Sequence, residues 1–343
     1  APCVTGSVLG VGLFALPVLV PWARVWPAAA AAGLPLGLLF RARLIDGVSG
    51  GTAATAGAVL ADVSPPEQRA RAFGLIGVAF GLGFILGPAL GGLLARTSVT
   101  LPLLVAVAFA AVNLVVVLTL LPETHPPNQR IALPRRRELH PFAQLARIFA
   151  DPRVRRLALA FFLFFFAFNG FAALLVLYFK QTFGWGPTPS ALAFLVVGVV
   201  ATLVQGLLIG PLVQRFGEGR LILAGIAAVI AGCLMIALAS AANAMAIVFP
   251  AVALMALGTG LVTPSLRSLV SRRLAGGGQG AALGSLQGLQ SLGSFLGPPL
   301  GGLAYESLGR RSPFVLAILL MAAVALLLSR RERQATPTPG TGC

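Results

Sequence analysis

Charge is what this sequence has least of: 10% of its 343 residues are charged, and only 9 are acidic. A soluble domain carries about 25% charged residues, so a chain this poor in charge cannot cover a water-facing surface. Histidine is confined to His125 and His140, which argues against a zinc centre, and no metal site is expected. Cys3, Cys233 and Cys343 are odd in number and lack motif spacing, so they give no disulfide framework. There is no phosphate-binding G-x-x-x-x-G-K-[ST] loop, no H-E-x-x-H and no paired-carboxylate helix pattern. Direct ATP hydrolysis and membrane-enzyme chemistry therefore find no support, and no cofactor is implied.

Apolar residues fill the space that charge leaves. They make up 57% of the chain, the mean hydropathy is +0.93, and apolar runs last twenty residues or more. Lipid cannot satisfy exposed backbone groups, so only helices and closed barrels span it. A barrel strand needs about ten alternating residues and a helix about 20 apolar ones, and the runs match the helix. Ten spans are predicted: 3–20, 34–60, 71–95, 99–121, 155–179, 188–213, 220–241, 245–269, 280–305 and 312–329.

The net charge of +16 invites a nucleic-acid reading, but the positions of the charges oppose it. Segments after the even-numbered spans hold Arg69, Arg71, the cluster Arg130 to Arg156, Arg215, Arg220, Arg267, Arg272, Arg273, Arg330, Arg331 and Arg333, 18 of the 25 basic residues. The opposite side holds only Arg24, Arg96, Lys180, Arg310 and Arg311. Such a bias places the first group in the cytoplasm, and no nucleic-acid partner is needed. The one long polar connection, Pro122 to Asp151, separates four spans from six. The expected organisation is a bundle over 1–121, a basic cytoplasmic linker over 122–154, a six-helix bundle over 155–330 and a cytoplasmic tail over 331–343.

A repeat relates the two bundles. Gly83-Phe-Ile-Leu-Gly87-Pro88-Ala-Leu-Gly91-Gly92 returns 210 residues later as Gly293-Ser-Phe-Leu-Gly297-Pro298-Pro-Leu-Gly301-Gly302, with seven of ten positions identical. Repeats about an axis along the membrane normal build many secondary transporters. Small residues every four positions let helix backbones approach closely, and proline bends a helix. Tight packing and a moving, gating role are both open for these segments. Shifting the fifth span back by 210 residues lands about 55 residues before Ala1, room for two more helices. The expectation is thus a twelve-span parent whose first two helices are absent here, in which case this chain could be a truncated one with no transport of its own.

Specific motifs now suggest a family. Gly83 to Gly92 resembles the fifth-helix signature of drug:proton antiporters of the major facilitator superfamily. Arg43-Leu-Ile-Asp46-Gly47 and Ala61-Asp62-Val-Ser-Pro-Pro-Glu67-Gln-Arg69-Ala-Arg71-Ala-Phe-Gly74 are similar to the tetracycline-resistance branch, as are Phe183-Gly-Trp185 and Gln279-Gly280. Leu121-Pro-Glu-Thr124 resembles the usual close of the sixth helix, and Gly210-Pro-Leu-Val-Gln-Arg215-Phe-Gly217 the second-half copy of the loop signature. The resemblance implies two six-helix bundles and a monomeric secondary transporter of the bacterial inner membrane. Its partners would be lipid, a small-molecule substrate and protons. Proton-coupled efflux of amphipathic compounds is the expected activity, with uptake of a small metabolite as the alternative.

Arg43 lies well inside a span, where charge is expensive and usually functional, and Asp46 shares its helical face three residues on. The resemblance associates that arginine with proton coupling; Asp46, where Gln is common, is either an added titratable group or a local counter-ion. Asp62, Arg69 and Arg71 read as a solvated cluster, to which the resemblance adds a conformational latch. The loop that supplies Asp62's family partner is missing, so Asp62 is expected to lack it. Arg215 and Gly217 complete the latch in the second half, Gly217 suiting a tight turn. Asn113, Asn169, Gln205, Gln287 and Gln290 are candidates for a midplane pocket, with interhelical hydrogen bonding as the other reading. The aromatic run Phe161 to Phe168 reads as lipid-facing. Apart from Arg43 and Asp46, charge is nearly absent within the spans, which suits a hydrophobic or weakly charged substrate.

Overall fold

A computed structural model describes residues 2–20, 33–95, 97–98, 100–121, 146, 148–152, 154–273 and 279–329. Of the linker expected over 122–154 only residues 146, 148–152 and 154 are described, and the tail expected over 331–343 lies outside the described residues. Among the described residues all regular structure is helical: α1 Pro2–Leu19, α2 Leu34–Ser49, α3 Thr52–Val63, α4 Arg69–Ala95, α5 Leu101–Leu120, α6 Arg155–Ala172, α7 Leu175–Phe183, α8 Pro187–Leu203, α9 Ile209–Phe216, α10 Glu218–Leu238, α11 Ala244–Arg273, α12 Gln279–Leu308 and α13 Ser312–Ser329. Among the described residues, seven segments are long and apolar enough to cross a membrane. One of them, Thr188–Leu238, runs 51 residues and turns back at Gly217, whose φ of 76° only glycine adopts without strain.

Three expected spans are broken helices. The segment 34–60 divides at Gly50 and Gly51 into α2 and α3, and 155–179 divides at Ala173–Leu174 into α6 and α7. Between α8 and α9 the chain forms a turn of π-helix over Val204–Leu208, a local widening often found at functional sites.

The chain forms two compact units. The first comprises 1–56 and 86–130, and the second comprises 57–85 and 131–343, so the division crosses both α3 and α4. In the first, α1 packs against α2 and α5. Gly10 of α1 permits this, since a Cβ there would meet the Asp46 Cβ at 3.1 Å.

The second unit takes in the later part of α3 and the first part of α4 because glycines admit them. A Cβ at Gly74 would lie 2.5 Å from the Gln205 carbonyl oxygen, and one at Gly81 would lie 3.0 Å from that of Gly198. Lipid is as apolar as leucine, so helices associate in it through close packing rather than hydrophobic burial. The core holds the fully buried rings of Phe161, Phe164, Phe171, Tyr178, Phe179 and Phe314. The aromatic run is therefore largely interior, not lipid-facing as its sequence suggests. Helix α10 packs against α11, and α6 against α12 and α13. Tyr305 of α12 donates to Gln181 Oε1 of α7 at 2.7 Å, and Arg310 to the Gln181 carbonyl at 2.6 Å.

Candidate functional site

A cavity of about 420 Å³ opens inside the second unit, walled by α4, α6, α8, the π turn, α11 and α12. That size is typical of small-molecule sites, about 300–1,000 Å³. Its walls are aromatic: Phe73, Phe80, Phe165, Phe168, Phe171 and Phe194. A few polar groups interrupt them, namely Asn169, Gln205, Thr259, Thr263, Gln290 and Arg267. Pockets that bind small molecules are built in this way, with an apolar body and a few placed polar groups.

Each wall follows from local sequence. Gly77 and Gly81 leave α4 without side chains where it meets Gln205 and Thr202, so α4 seats tightly at those points and presents Phe73 and Phe80 beside them. Gln205 itself stands in the π turn, and Gly260 of α11 faces Val204 and Gln205 from the other side. Asn169 is fixed by donating through Nδ2 to the Phe165 carbonyl one turn earlier, at 2.8 Å.

Arg267 is the residue that sequence reasoning missed. Its position beside Arg272 and Arg273 grouped it with loop charges, yet it is only 9% exposed, and α11 continues past it to Arg273. Its Nη2 donates to Gln287 Oε1 at 3.1 Å and to Gln290 Oε1 at 2.8 Å. The legible signal was the pair Gln287 and Gln290, one turn apart on α12 and so on one face. Gln287 thus holds Arg267 without itself lining the cavity, whereas Gln290 does both. Asn113 stands elsewhere, exposed on α5 in the first unit.

The expected latch residues are arranged unlike their motif. Arg69 is buried and donates to the Ala61 carbonyl at 3.4 Å, near the negative end of α3, where a cation is favoured. Arg71 is exposed, and its methylenes cover Gly210. Asp62 is exposed at the end of α3 and is not left without an interaction. In the second-half copy Arg215 is exposed beside the Phe216 ring. The ion pair that joins helices there is instead Glu218 with Arg272 at 2.9 Å, and Ser268 also donates to Glu218 at 3.1 Å. A carboxylate buried at the start of α10 answers a cation near the end of α11.

The first unit holds a smaller cavity, about 200 Å³, beside Phe14, Arg43, Asp46 and Leu103. Arg43 Nη1 stands 3.5 Å from Asp46 Oδ2, and the guanidinium lies 4.4 Å from the centre of the Phe14 ring. Local counter-ion and cation–π partner together account for its place in the helix.

The two copies of the glycine segment are used differently. In α12, Cβ atoms at Gly293 and Gly297 would meet the Phe166 nitrogen at 2.8 Å and its carbonyl oxygen at 2.7 Å, and Gly301 abuts the Gly170 carbonyl. In α4, nothing among the described residues lies within 4 Å of a Cβ at Gly83, Gly87 or Gly91. Pro298 is half-buried, and Gly302 faces open space; the surroundings of Pro88 and Gly92 lie outside the described residues. Among the described residues, the glycines of the second copy are the ones seated against a neighbouring backbone, that of α6.

Apolar helices long enough to cross a membrane, several of them broken, mark a multi-pass membrane protein. The profile of the Major Facilitator Superfamily matches residues 4–296 and 207–342, and the chain belongs to that family. It is 35% identical over 263 residues to the class C tetracycline resistance protein of Escherichia coli, covering 77% of this chain and 65% of that protein. It is 31% identical over 308 residues to major facilitator superfamily domain-containing protein 10 of Bos taurus, covering 83% and 65%. The chain thus spans about two thirds of the length of these relatives. Among solved structures, the human organic anion transporter MFSD10 superposes with a TM-score of 0.79 at 24% identity, over 95% of this chain and 75% of that one. The Escherichia coli fucose:proton symporter superposes with a TM-score of 0.65 at 17% identity, over 98% and 84%. These likenesses show the fold, and the solved neighbours are transporters rather than enzymes.

Proposed function

We propose that this chain is the transport domain of a proton-coupled exporter of amphipathic small molecules, working by alternating access. The observation that carries the reading is the aromatic cavity of about 420 Å³, polar at a few points only. The tetracycline resistance proteins that it resembles support export over uptake. On this reading protonation biases a two-state equilibrium between openings, and the Arg43–Asp46 pair is where a proton would act, by discharging Asp46 and releasing Arg43. The sequence bias of basic residues supports a cytoplasmic location for the segment 122–154 and the C-terminus.

Everted membrane vesicles test this, prepared from cells that express the complete reading frame. A fluorescent amphipathic dye should accumulate when respiration acidifies the lumen, and a proton ionophore should abolish the signal. Arg43→Ala should reduce it at least tenfold. Accumulation that needs ATP or resists the ionophore would overturn proton coupling, and full activity in Arg43→Ala would remove the pair from the mechanism.

A further inference from the structure

Among the described residues, Arg267 is the only formally charged residue on the wall of the second unit's cavity, with no aspartate, glutamate or lysine beside it there. The side chain is buried, and the groups against it are all neutral: the amides of Gln287 and Gln290 and, 6.0 Å from the guanidinium, the Phe161 ring. Both bonds leave from the same amino group, Nη2, whereas a guanidinium has five N–H donors. Its charge is therefore positioned by α12 but not neutralised by it. A buried cation without a counter-ion is costly, and it becomes tolerable when a hydrogen-bonded anion is supplied.

The cavity is otherwise suited to a flat apolar body. Phe165, Phe168 and Phe194 supply rings, and nothing on the wall would neutralise a cationic ligand. An organic cation would meet like charge, and a neutral molecule would leave Arg267 uncompensated. An anion would instead form charge-assisted hydrogen bonds, roughly twice as strong as neutral ones. Resting on the reading of this cavity as the substrate site, we propose that it selects aromatic organic anions, with one carboxylate or similar oxyanion paired to Arg267. Gln287 and Gln290 are positioning residues that hold the guanidinium at the wall.

Equilibrium binding to the purified, detergent-solubilised protein tests the proposal with three probes of one shape: 2-naphthoate, 2-naphthamide and 2-naphthylmethylammonium. Naphthoate should bind at least tenfold more tightly than either of the others. Arg267→Gln should bring naphthoate down to the level of the amide. Gln290→Glu, which sets a carboxylate beside the guanidinium, should do the same while keeping the cation paired, and it stands in where Arg267→Gln does not fold. Naphthoate binding no tighter than the amide, or a preference that survives both substitutions, would overturn the anion assignment and leave the cavity as a substrate site. Failure of all three probes to bind would overturn the reading of the cavity itself, and the anion assignment with it.

Discussion

At the scale of single residues, the repeat gives a built-in control. Gly91 and Gly301 are equivalent positions 210 residues apart, yet Gly301 abuts the Gly170 backbone while Gly91 has nothing within 4 Å among the described residues. Backbone cannot move aside as a flexible side chain can. Gly301→Ala is therefore expected to cost about 1–3 kcal/mol through overpacking. Gly91→Ala should be neutral or stabilising by up to about 1 kcal/mol, from helix propensity. Thermal midpoints of the two variants in detergent check this, and equal losses would contradict it. The same scale shows why Arg267 was not legible. Hydropathy ends the expected span at 269, and a basic residue two positions inside that end reads as a loop charge. Only the approach of α12, with Gln287 and Gln290 on one face, makes it interior. Asn169, Gln205 and Gln290 were legible as polar residues in apolar runs, though the sequence could not separate them from Asn113, which the fold sets on an exposed face.

At the scale of elements, the membrane character of nearly every helix was legible because apolar run length is a direct requirement of lipid. The breaks were not. The interruption at Ala173–Leu174 has neither proline nor glycine to mark it, and the π turn at Val204–Leu208 lies within a long run whose hydropathy stays high across Gln205. Hydropathy carries no information on which carbonyl a given amide reaches. That turn has a consequence for function, since it presents Gln205 to the cavity and its carbonyl to Gly74 of α4. Gly74→Val would force α4 off the π turn and open the cavity wall on that side. The expected result is a loss of 2-naphthamide binding of tenfold or more, with helix content by circular dichroism unchanged. Binding as tight as in the unmodified protein would show that the contact does not shape the cavity.

At the scale of the whole molecule, each compact unit holds a cavity, and the two are proposed to do different work. The cavity of the second unit, about 420 Å³ and walled by phenylalanines, is the proposed substrate site. The cavity of the first, about 200 Å³, holds the Arg43–Asp46 pair, the proposed point of proton action. Family and fold were legible from a few motifs, because glycine and proline in a membrane helix mark close approach and bending. The division of labour between units was not, since it depends on how α4 shares its length between them. Photolabelling tests that division directly. With 2-azidonaphthalene as the probe and peptide mapping as the readout, adducts are expected on Phe168, Phe194 and Met255, and unlabelled naphthoate should suppress them. Adducts concentrated at Phe14 and Leu103, or labelling that naphthoate does not suppress, would contradict the assignment of the second unit's cavity as the substrate site.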